Sequence, residues 1–404
     1  MTGRTDTIAP ALYRQQVEAE LTNILTFWAT HSLDNAHGGF IGRISGEGVP
    51  DPAAPKGGVL NARILWTFAA AYRHTKKPQY LVLADRAYDY LMAHFWDKKH
   101  GGVYWSVNAD GTPRETHKQV YGQAFALYGL SEYYRATARP DALKAAKELY
   151  AWMEKYSFDG QRGGYYEATS REGAVLDRSA LSANERNVVK TMNTHLHVLE
   201  AYANAYRIWP DAGLARQLRR LLQTFRQHIL DPHTYHQRLF FTADWKPTAD
   251  LVSYGHDIEA AWLLLEAAEL LGDNMLIQEM KMVAVEMARS VGKTIEPDGS
   301  LLYELNRTTG HTDTHREWWV IAEAMVGFLN AWQLTGNKTF YEQSVRSWQF
   351  AQEYLLDKAG GEWRWGVFAD HSPMVKNDKI GFWKCPYHNS RACLEVIERL
   401  GESR

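Results

Sequence analysis

The spacing of hydrophobic and polar residues predicts a chain built of paired helices. In six long stretches the apolar residues recur every three or four positions, which is typical of α-helices with a buried face. These stretches are residues 60–74, 120–135, 192–208, 256–271, 318–334 and 387–400. A second set of helices alternates with them, as at 11–30, 79–95 and 141–156. Pro78 and Pro140 precede the last two, and proline suits a first helical turn.

Short segments of aspartate, glycine and aromatic residues separate the helix pairs and repeat along the chain. The segments begin at six aspartates: Asp34, Asp97, Asp159, Asp231, Asp298 and Asp357. They recur roughly every 60 to 70 residues, and a regular period of this kind is the signature of a repeat architecture. Each period holds two helices, so the pattern predicts twelve helices in six hairpins.

Six helical hairpins are typical of an all-α fold, the (α/α)6 barrel, in which short β-hairpin-like connections join the helices and the last repeat closes on the first. We expect this closed ring, and an open helical solenoid is the alternative. Neither a linker rich in Pro, Gly or Ser nor a low-complexity tract interrupts the pattern. Residues 1–404 are therefore expected to form one catalytic domain.

Charge and composition restrict the partners of the chain. Its 45 Lys and Arg balance 47 Asp and Glu without blocks, so it lacks the basic surface that a nucleic acid or an anionic membrane requires. We find no signal peptide and no apolar run of membrane-spanning length. Cys385 and Cys393 are predicted to share one helix, too far apart for a disulfide, which fits a reducing compartment. We expect a cytoplasmic protein, a monomer or small homo-oligomer, with no nucleic-acid or membrane partner.

Polar and aromatic residues recur at the start of each predicted inner helix. They are Asn61 and Arg63; Tyr121 and Gln123; Asn193, His195 and His197; His256, Asp257 and Glu259; Glu317, Trp318, Trp319 and Glu323; and His388, Asn389 and Arg391. Because inner helices of such a barrel run parallel to one another, these side chains should converge on one end of the ring. The sequence therefore predicts a polar funnel there.

Spacing within two of these helices supports the convergence. Asn193, His197 and Glu200 fall on one stripe, and His256 and Glu259 are about one turn apart. A single histidine is more often structural than functional, but matching positions on three inner helices favour a shared role.

Metal and nucleotide sites are weakly supported. His195 and His197, or His311 and His315, could each supply two ligands, but zinc needs three or four and the spacing implies no third. Residues two apart on a helix also point to different faces. Gly57 and Gly58 lack the spaced glycines and lysine of a phosphate loop. We expect no metal and no nucleotide cofactor.

The chemistry of the funnel suits a small-molecule sugar. Tryptophan, of which the chain has 15, stacks on sugar rings, and amide, guanidinium and carboxylate groups bind hydroxyls. Glycoside hydrolysis is one candidate reaction, with Glu259 and Glu323 as its two carboxylates, but it leaves the histidines unused. Proton transfer at a carbon beside a carbonyl is the other. It uses imidazole bases, and Arg63 would stabilise the enediolate oxygen.

Five segments, in order, resemble motifs of the cellobiose 2-epimerases, which belong to the N-acylglucosamine 2-epimerase superfamily. The segments are residues 56–66 (KGGVLNARILW), 192–202 (MNTHLHVLEAY), 253–260 (SYGHDIEA), 317–324 (EWWVIAEA) and 382–391 (FWKCPYHNSR). The resemblance runs over nearly the whole chain. It implies an (α/α)6 barrel that reversibly converts a reducing-end glucose to mannose through a cis-enediolate, without a metal or nucleotide.

The resemblance also implies roles for particular residues. His256 and His388 match the acid/base pair, His197 a histidine that helps to open the ring and holds O1, and Arg63 the residue that holds the enediolate oxygens. The remaining matches are hydrogen-bonding partners and stacking platforms: Tyr121, Asn193, Glu259, Glu323, Trp319 and Trp383.

One segment departs from the family pattern. Cellobiose 2-epimerases usually carry a Lys-Asp pair upstream of the Asn-Thr-His motif, where residues 182–187 of this chain read SANERN. Recognition of a second sugar therefore stays open. The related mannose 2-epimerases, which act on the free hexose, are the alternative, and N-acetylglucosamine is a less expected substrate because its epimerases resemble this chain less around His388.

Overall fold

The computed structural model describes residues 7–176 and 188–401 and is dominated by helices. Twelve α-helices lie in these ranges: α1 (Pro10–His31), α2 (Gly58–Thr75), α3 (Pro78–Tyr90), α4 (Val120–Thr137), α5 (Pro140–Tyr156), α6 (Met192–Ile208), α7 (Ala212–Thr224), α8 (Tyr254–Leu271), α9 (Asn274–Gly292), α10 (Trp318–Thr335), α11 (Lys338–Phe350) and α12 (Tyr387–Gly401). A π-helical turn extends three of them, at Leu91–Phe95, Phe225–Ile229 and Ala351–Leu355. The six long stretches predicted from the sequence agree with the even-numbered helices to within two residues at each end.

The even-numbered helices form a closed inner ring. Contacts run from α2 to α4 and on through α6, α8, α10 and α12, and α12 returns to α2. At this last seam the hydroxyl of Ser390 lies 3.5 Å from the hydroxyl of Thr67. The closed (α/α)6 barrel is therefore confirmed, and the open solenoid is wrong.

The odd-numbered helices cover this ring from outside. Each of α3, α5, α7, α9 and α11 packs on the inner helix that precedes it, while α1 packs on α12. Tyr13 of α1 also reaches α11, with its hydroxyl 3.1 Å from that of Ser344. The first helix thus joins the last repeat, and this pairing holds the two ends of the ring together.

Burial differs between the two layers. In α2 every residue from Gly58 to Ala71 is buried, whereas α7 buries only one face. A helix surrounded by other helices has no solvent-facing stripe. Each polar side chain on an inner helix must therefore find a hydrogen-bond partner or face a cavity.

Short antiparallel strands connect neighbouring repeats beside the N-terminal ends of the inner helices. The strands are β1 (Lys56–Gly57), β2 (Ser106–Val107), β3 (Pro113–Glu115), β4 (Lys118–Gln119), β5 (Ala168–Thr169), β6 (Lys190–Thr191), β7 (Phe240–Phe241), β8 (Leu251–Ser253), β9 (Glu304–Asn306), β10 (His311–Asp313), β11 (Arg316–Glu317) and β12 (Gly366–Val367). The strand before one inner helix pairs with a strand beyond the next outer helix, as β4 does with β5. A bridge between Ile44 and Ile380 makes the equivalent link beside α12.

The repeated aspartates stabilise the turns. One carboxylate oxygen of Asp97 accepts the N–H groups of Lys99 and His100, and the other accepts Nζ of Lys118 at 3.1 Å. Lys118 and Asp97 are both fully buried, so each neutralises a charge that would otherwise be costly. The same pairing recurs as Asp34 with Lys56, Asp159 with Lys190 and Asp357 with Lys379.

The expectation that both cysteines lie on one helix is wrong. Cys393 lies within α12, but Cys385 lies in the segment before it, and Pro386 separates that segment from the helix. The residue before a proline is restricted away from the helical conformation, which explains why α12 begins only at Tyr387. Both thiols are buried and unpaired. Within residues 7–176 and 188–401, no helix is long and apolar enough to cross a membrane.

Candidate active site

The polar residues at the starts of the inner helices separate into two sets. Members of the first set bond to the turns outside the ring: Gln123, His195, Asp257 and Asn389. Members of the second set meet at the centre of the ring: Arg63, His197, Glu259, Glu323 and Arg391. Three of these, His197, Glu259 and Arg391, lie two positions after a member of the first set. Side chains two residues apart on a helix point to different faces. One polar cluster can therefore both hold the connections outside the ring and supply side chains to its centre.

The first set fixes the connections between helices. His195 accepts the N–H of Tyr165 at 2.8 Å through Nε2, and its Nδ1 lies 2.6 Å from the carbonyl of Thr191. Burial lowers the pKa of His195 to about 3, so the ring is neutral. Gln123 holds the turn of the preceding repeat, where Gly102 has a φ of 69° and a Cβ would lie 2.8 Å from Oε1 of Gln123. Glycine is therefore required at that turn.

Arg391 of α12 lies at the centre of the second set and contacts three inner helices. Its Nη1 donates to Glu200 of α6, and its Nη2 donates to Glu259 of α8 at 2.7 Å and to Glu323 of α10 at 2.6 Å. Arg391 and the three glutamates are each no more than 2% exposed. One buried guanidinium therefore neutralises part of the charge of three buried carboxylates.

His197 of α6 is held by Glu200, one turn further along the same helix. Nδ1 of His197 lies 2.9 Å from Oε2 of Glu200, whose Oε1 accepts Arg391 and the Tyr387 hydroxyl. Burial lowers the pKa of His197, although Glu200 acts in the opposite direction. Burial alone would raise the pKa of Glu200, but Arg391 and His197 lower it to about 2, so this carboxylate is ionised.

His388 of α12 is held in the same way by Glu323 of α10. The Nδ1 atom of His388 lies 2.7 Å from Oε1 of Glu323, and Oε2 of that glutamate accepts the indole N–H of Trp262 at 3.2 Å. Burial and then the positive charge of Arg63 lower the pKa of His388 well below its ordinary value. Burial raises the pKa of Glu323, while Arg391 acts in the opposite direction and favours its ionised form. An ionised carboxylate only accepts hydrogen bonds, so with Glu323 ionised Nδ1 of His388 carries the proton and Nε2 is the basic atom.

His256 of α8 has a different partner. Its Nδ1 lies 2.7 Å from the hydroxyl of Ser253, which precedes α8, and burial lowers its pKa to about 3. The rings of His256 and His388 both lie against Trp319, with centroids 4.7 and 5.7 Å from that of the indole. Trp319 is itself fixed by a 2.7 Å hydrogen bond to Glu317. The structure therefore brings the two histidines together on one tryptophan.

Arg63 of α2 completes this group from the opposite side of the ring. Its Nη2 donates to the Tyr121 hydroxyl at 2.8 Å, its Nη1 lies 3.6 Å from the sulfur of Cys385, and its guanidinium lies 4.0 Å from the Phe125 ring centroid. The His197 ring lies 5.0 Å from that of Tyr121, edge to face. Arg63 and His197 are thus neighbours across Tyr121.

Two further residues expected at the site lie beside these groups. Asn193 is half-buried one turn before His197, and its Oδ1 has no hydrogen-bond partner in the described part of the chain. Trp383 is half-buried, with its ring 5.7 Å from Tyr121 and 5.9 Å from Trp105. All ten predicted site residues therefore lie on the inner helices or on the segment that leads into α12.

The acidic residues of the site do not fit a hydrolase pair. Glu259 and Glu323 share one nitrogen of Arg391, and one oxygen of each lies within 4.8 Å of the other and of a His388 nitrogen. A glycosidase needs its two carboxyl groups on either side of the scissile bond. Here a guanidinium occupies the position between them, so the expectation that they could act as that pair is not supported by the geometry.

The same three side chains, Glu259, Glu323 and His388, are the one group of potential metal ligands found in the described ranges. Arg391 already places a cation against both carboxylates. His195 and His197 point to different partners, and His315 bonds to Asp313 and Glu317. The expectation that no metal is needed stays a prediction.

Sequence reasoning missed several partners and left one segment open. Ser253, Cys385 and the hydrogen bond from Trp319 to Glu317 were given no role, although Ser253 stands three residues before His256 and could have been noticed as its helix-start partner. Residues 182–187, where the chain departs from the family pattern, lie outside the described residues.

Comparison with known proteins places this site in a family. Residues 39–392 match the family model N-acylglucosamine 2-epimerase (GlcNAc 2-epimerase). Cellobiose 2-epimerase of Bacteroides fragilis is 47% identical over 387 residues, which cover 96% of this chain and 99% of the relative. The solved structure of cellobiose 2-epimerase from Bacillus thermoamylovorans matches with a TM-score of 0.92 and 41% identity, over 96% of this chain and 100% of that one.

A D-mannose isomerase of Thermobifida fusca is more distant, at 26% identity over 88% of this chain and 87% of the relative. The family match spans most of the chain and includes every residue of the candidate site. The chain belongs to the N-acylglucosamine 2-epimerase family, in its branch of cellobiose and mannose 2-epimerases.

Proposed function

We propose that this protein is a cellobiose 2-epimerase, an isomerase that interconverts glucose and mannose at the reducing end of a β-1,4-linked disaccharide. The observation that carries the proposal is the meeting of His197, His256 and His388 with Arg63 at one end of the ring. Similarity supports the disaccharide as substrate, because the cellobiose 2-epimerase relative is 47% identical and the D-mannose isomerase relative 26%.

The epimerisation requires a proton to leave C2 on one face and return on the other. A base takes the C2 proton, the electron pair forms the C1–C2 double bond, and O1 becomes an enediolate oxygen; reprotonation of C2 from the opposite face gives the epimer. His256 and His388 are the proposed pair because both rings lie against Trp319 and their lowered pKa values keep them neutral at pH 7.

Arg63 is the proposed partner of the enediolate oxygens. It is a buried cation that is hydrogen-bonded to the hydroxyl of Tyr121 and the thiol of Cys385, and among the described residues it has no ion pair with a carboxylate. A cation without a carboxylate partner in a buried site is well suited to a developing negative charge. We assign Tyr121 to the same oxygens, since its hydroxyl lies 2.8 Å from Arg63.

Ring opening and sugar binding are assigned to the residues around this centre. His197, neutral and held by Glu200, would move the proton between O1 and the ring oxygen. Oδ1 of Asn193, which has no hydrogen-bond partner in the described residues, would accept a hydrogen bond from a sugar hydroxyl. Trp319 and Trp383 would stack on the two sugar rings.

Glu259 and Glu323 are assigned to the layer behind the histidines. Oε1 of Glu259 accepts Arg391, and the two oxygens of Glu323 face Arg391, His388 and Trp262, so the effect of Glu323 on the sugar passes through His388. Oε2 of Glu259 has no hydrogen-bond partner among the described residues. We propose that these imidazole, guanidinium and hydroxyl groups are sufficient for the chemistry, which then needs no metal or nucleotide. We further propose that the enzyme works in the cytoplasm, as a monomer or small homo-oligomer.

Deuterium exchange at C2 tests the proposal. Purified protein is incubated in D₂O with cellobiose, glucose and mannose separately, and C2 is followed by NMR. We expect deuterium at C2 of the reducing-end unit of cellobiose, together with the appearance of the mannose epimer. Exchange with the free hexoses only would instead favour the mannose branch. Cleavage of cellobiose without exchange, or no reaction with any sugar, would contradict the proposal.

A further inference from the structure

Arg391 and its three glutamates form a buried charge cluster that the proposed reaction does not itself use. The groups that face the Arg391 guanidinium come from several helices: Glu200 of α6, Glu259 and Trp262 of α8, Glu323 of α10 and Tyr387 of α12. The guanidinium lies 4.8 Å from the Trp262 ring centroid and 4.3 Å from that of Tyr387. Both terminal nitrogens of Arg391 thus already donate to glutamates, and aromatic rings pack against its guanidinium.

The cluster joins two histidines that do not touch each other directly. Glu200 contacts Nδ1 of His197 through Oε2 and Arg391 through Oε1, and Glu323 contacts both Nδ1 of His388 and Arg391 through Oε1. Each histidine therefore has a carboxylate partner whose position depends on the same guanidinium. His256 is outside this arrangement because its partner is Ser253.

We propose that Arg391 is a positioning residue that holds His197 and His388 together in the tautomer with the proton on Nδ1. Both Nε2 atoms are then basic and face the sugar at the same time. The inference rests on the proposed function, because the tautomers matter for catalysis only if the two histidines act on the sugar. It extends that function by making two catalytic histidines depend on one residue remote from the substrate.

Charge within the cluster supports this role. Three carboxylates share one cation, and burial with the repulsion of Glu323 holds the pKa of Glu259 well above its usual range. With Glu259 protonated, Arg391 bridges Glu200 and Glu323. Burial also raises the pKa of Glu323, and Arg391 is the group that most favours its ionised form. Loss of the guanidinium would leave these two charges buried and uncompensated, and they would then reorient or take up protons.

Side-chain ¹⁵N NMR of histidine-labelled protein tests the inference without a substrate. Signals of His197, His256 and His388 are assigned by their loss in single His→Asn variants. In the unmodified protein we expect Nδ1–H tautomers at His197 and His388. In Arg391→Lys, which keeps the charge but lacks the two-pronged geometry, we expect mixed tautomers at both residues and an unchanged His256. We also expect kcat to fall by about 10-fold or more with KM changed less than about threefold.

Arg399→Lys is the matched control. Arg399 lies two turns further along α12, bonds to Glu395 and lies 5.9 Å from the same Trp262 ring, but contacts neither histidine nor its glutamate partner. We expect Arg399→Lys to leave all three histidine signals unchanged. A change in His197 and His388 there, or wild-type signals in folded Arg391→Lys, would overturn the inference.

Glu200→Gln keeps the test open if Arg391→Lys does not fold. This variant removes a partner of Arg391 that does not touch His388, so a shift of the His388 signal is expected and an unchanged signal would contradict the link. Failure of the proposed function would be seen in a different measurement. In that case the unmodified enzyme would show no exchange at C2 in D₂O, whatever the histidine tautomers are.

Discussion

His388 and His256 lie against the same tryptophan, yet their surroundings differ. His388 is bound to a buried carboxylate that is itself tied to Arg391, whereas His256 is bound to the hydroxyl of Ser253. A carboxylate can only accept, so it fixes one tautomer of His388. A hydroxyl can donate or accept, so His256 can present either a basic nitrogen or an N–H to the substrate.

The difference implies an unequal pair. Glu323 is hydrogen-bonded to His388, whereas within the described residues His256 has no hydrogen bond to a carboxylate and feels the charge of Glu323 only from a distance. We infer that Glu323 holds His388 in one tautomer, while His256 can change tautomer to donate or accept. The two faces of C2 are thus served by groups of different character.

Removing either base is expected to have the largest effect. His388→Asn and His256→Asn should each lower kcat/KM for cellobiose epimerisation by at least about 10²–10⁴-fold, the contribution of a positioned acid/base group. The rate is measured by stopping the reaction at set times and quantifying the mannose-ended epimer, and circular dichroism verifies that each variant is folded. Near-normal epimerisation by either folded variant would mean that the two-base scheme is wrong. His311→Asn, an exposed histidine on β10, is the control.

Replacing Glu323, the hydrogen-bond partner of His388, is expected to have the second-largest effect. Glu323→Gln places an amide against Nδ1, and if its N–H₂ faces the ring it forces the wrong tautomer; we expect kcat to fall by about 10²-fold. Glu132→Gln is the matched control, since Glu132 is a buried glutamate of α4 that bonds to Arg73 and Arg135 and to no histidine. Equal rates for the two variants would remove the distinction between His388 and His256.

The pH dependence of kcat/KM should show that both bases are neutral. Burial lowers the pKa of His256 to about 3 and lowers that of His388, so the free enzyme keeps its bases as the pH falls through 6.5. An ordinary imidazole would lose about 10-fold between pH 7.5 and 5.5. We expect kcat/KM of the enzyme to fall by less than this over the pH range in which the protein stays folded. A fall of kcat/KM centred near pH 6.5 would contradict the assignment of neutral bases.

Folding stability should change in the same pH window with a definite sign. These histidines bind protons in the unfolded chain below about pH 6.5 but not in the folded one, so the free energy of unfolding should decrease as the pH falls below that value. Urea unfolding at pH 7.5 and 5.5 measures the effect. His195, whose pKa is also lowered to about 3 by burial, contributes to it, and His195→Asn should reduce the pH dependence.

Removing the partner of His256 is expected to have the smallest effect. Ser253→Ala deletes one neutral hydrogen bond, and we expect kcat/KM to fall by less than about 10-fold. Ser253→Thr keeps the hydroxyl, so its kcat/KM should lie between that of Ser253→Ala and that of the unmodified enzyme. A loss as large as that of Glu323→Gln would show that the hydroxyl matters as much as the carboxylate, and the comparison would fail.

Sequence patterns were sufficient for the fold because each level of the pattern agreed with the next. Apolar periodicity located the inner helices, and the repeat of Asp97 and its equivalents separated them. The exception was Cys385, where Pro386 delays the start of α12. The apolar pattern itself predicted that this helix begins at residue 387, so pattern and proline agree, and only the placement of Cys385 on the helix was wrong.

The site was predictable as a set of residues but not as an arrangement. His197 and Glu200 are one turn apart, so their contact follows from helical spacing. The split of His195 from His197 follows from the same geometry. Arg391 and its three glutamates lie on four different helices, however, and no local pattern specifies that Glu323 reaches His388.

The central claim, that two histidines serve opposite faces of C2, is tested most directly by exchange without epimerisation. Each single variant, His256→Asn and His388→Asn, is incubated in D₂O separately with cellobiose and with its mannose-ended epimer, and deuterium at C2 is followed by NMR. We expect each variant to exchange the C2 proton of one epimer only, with opposite preference in the two variants. Exchange of the same epimer by both variants, or of both epimers by either one, would contradict the account.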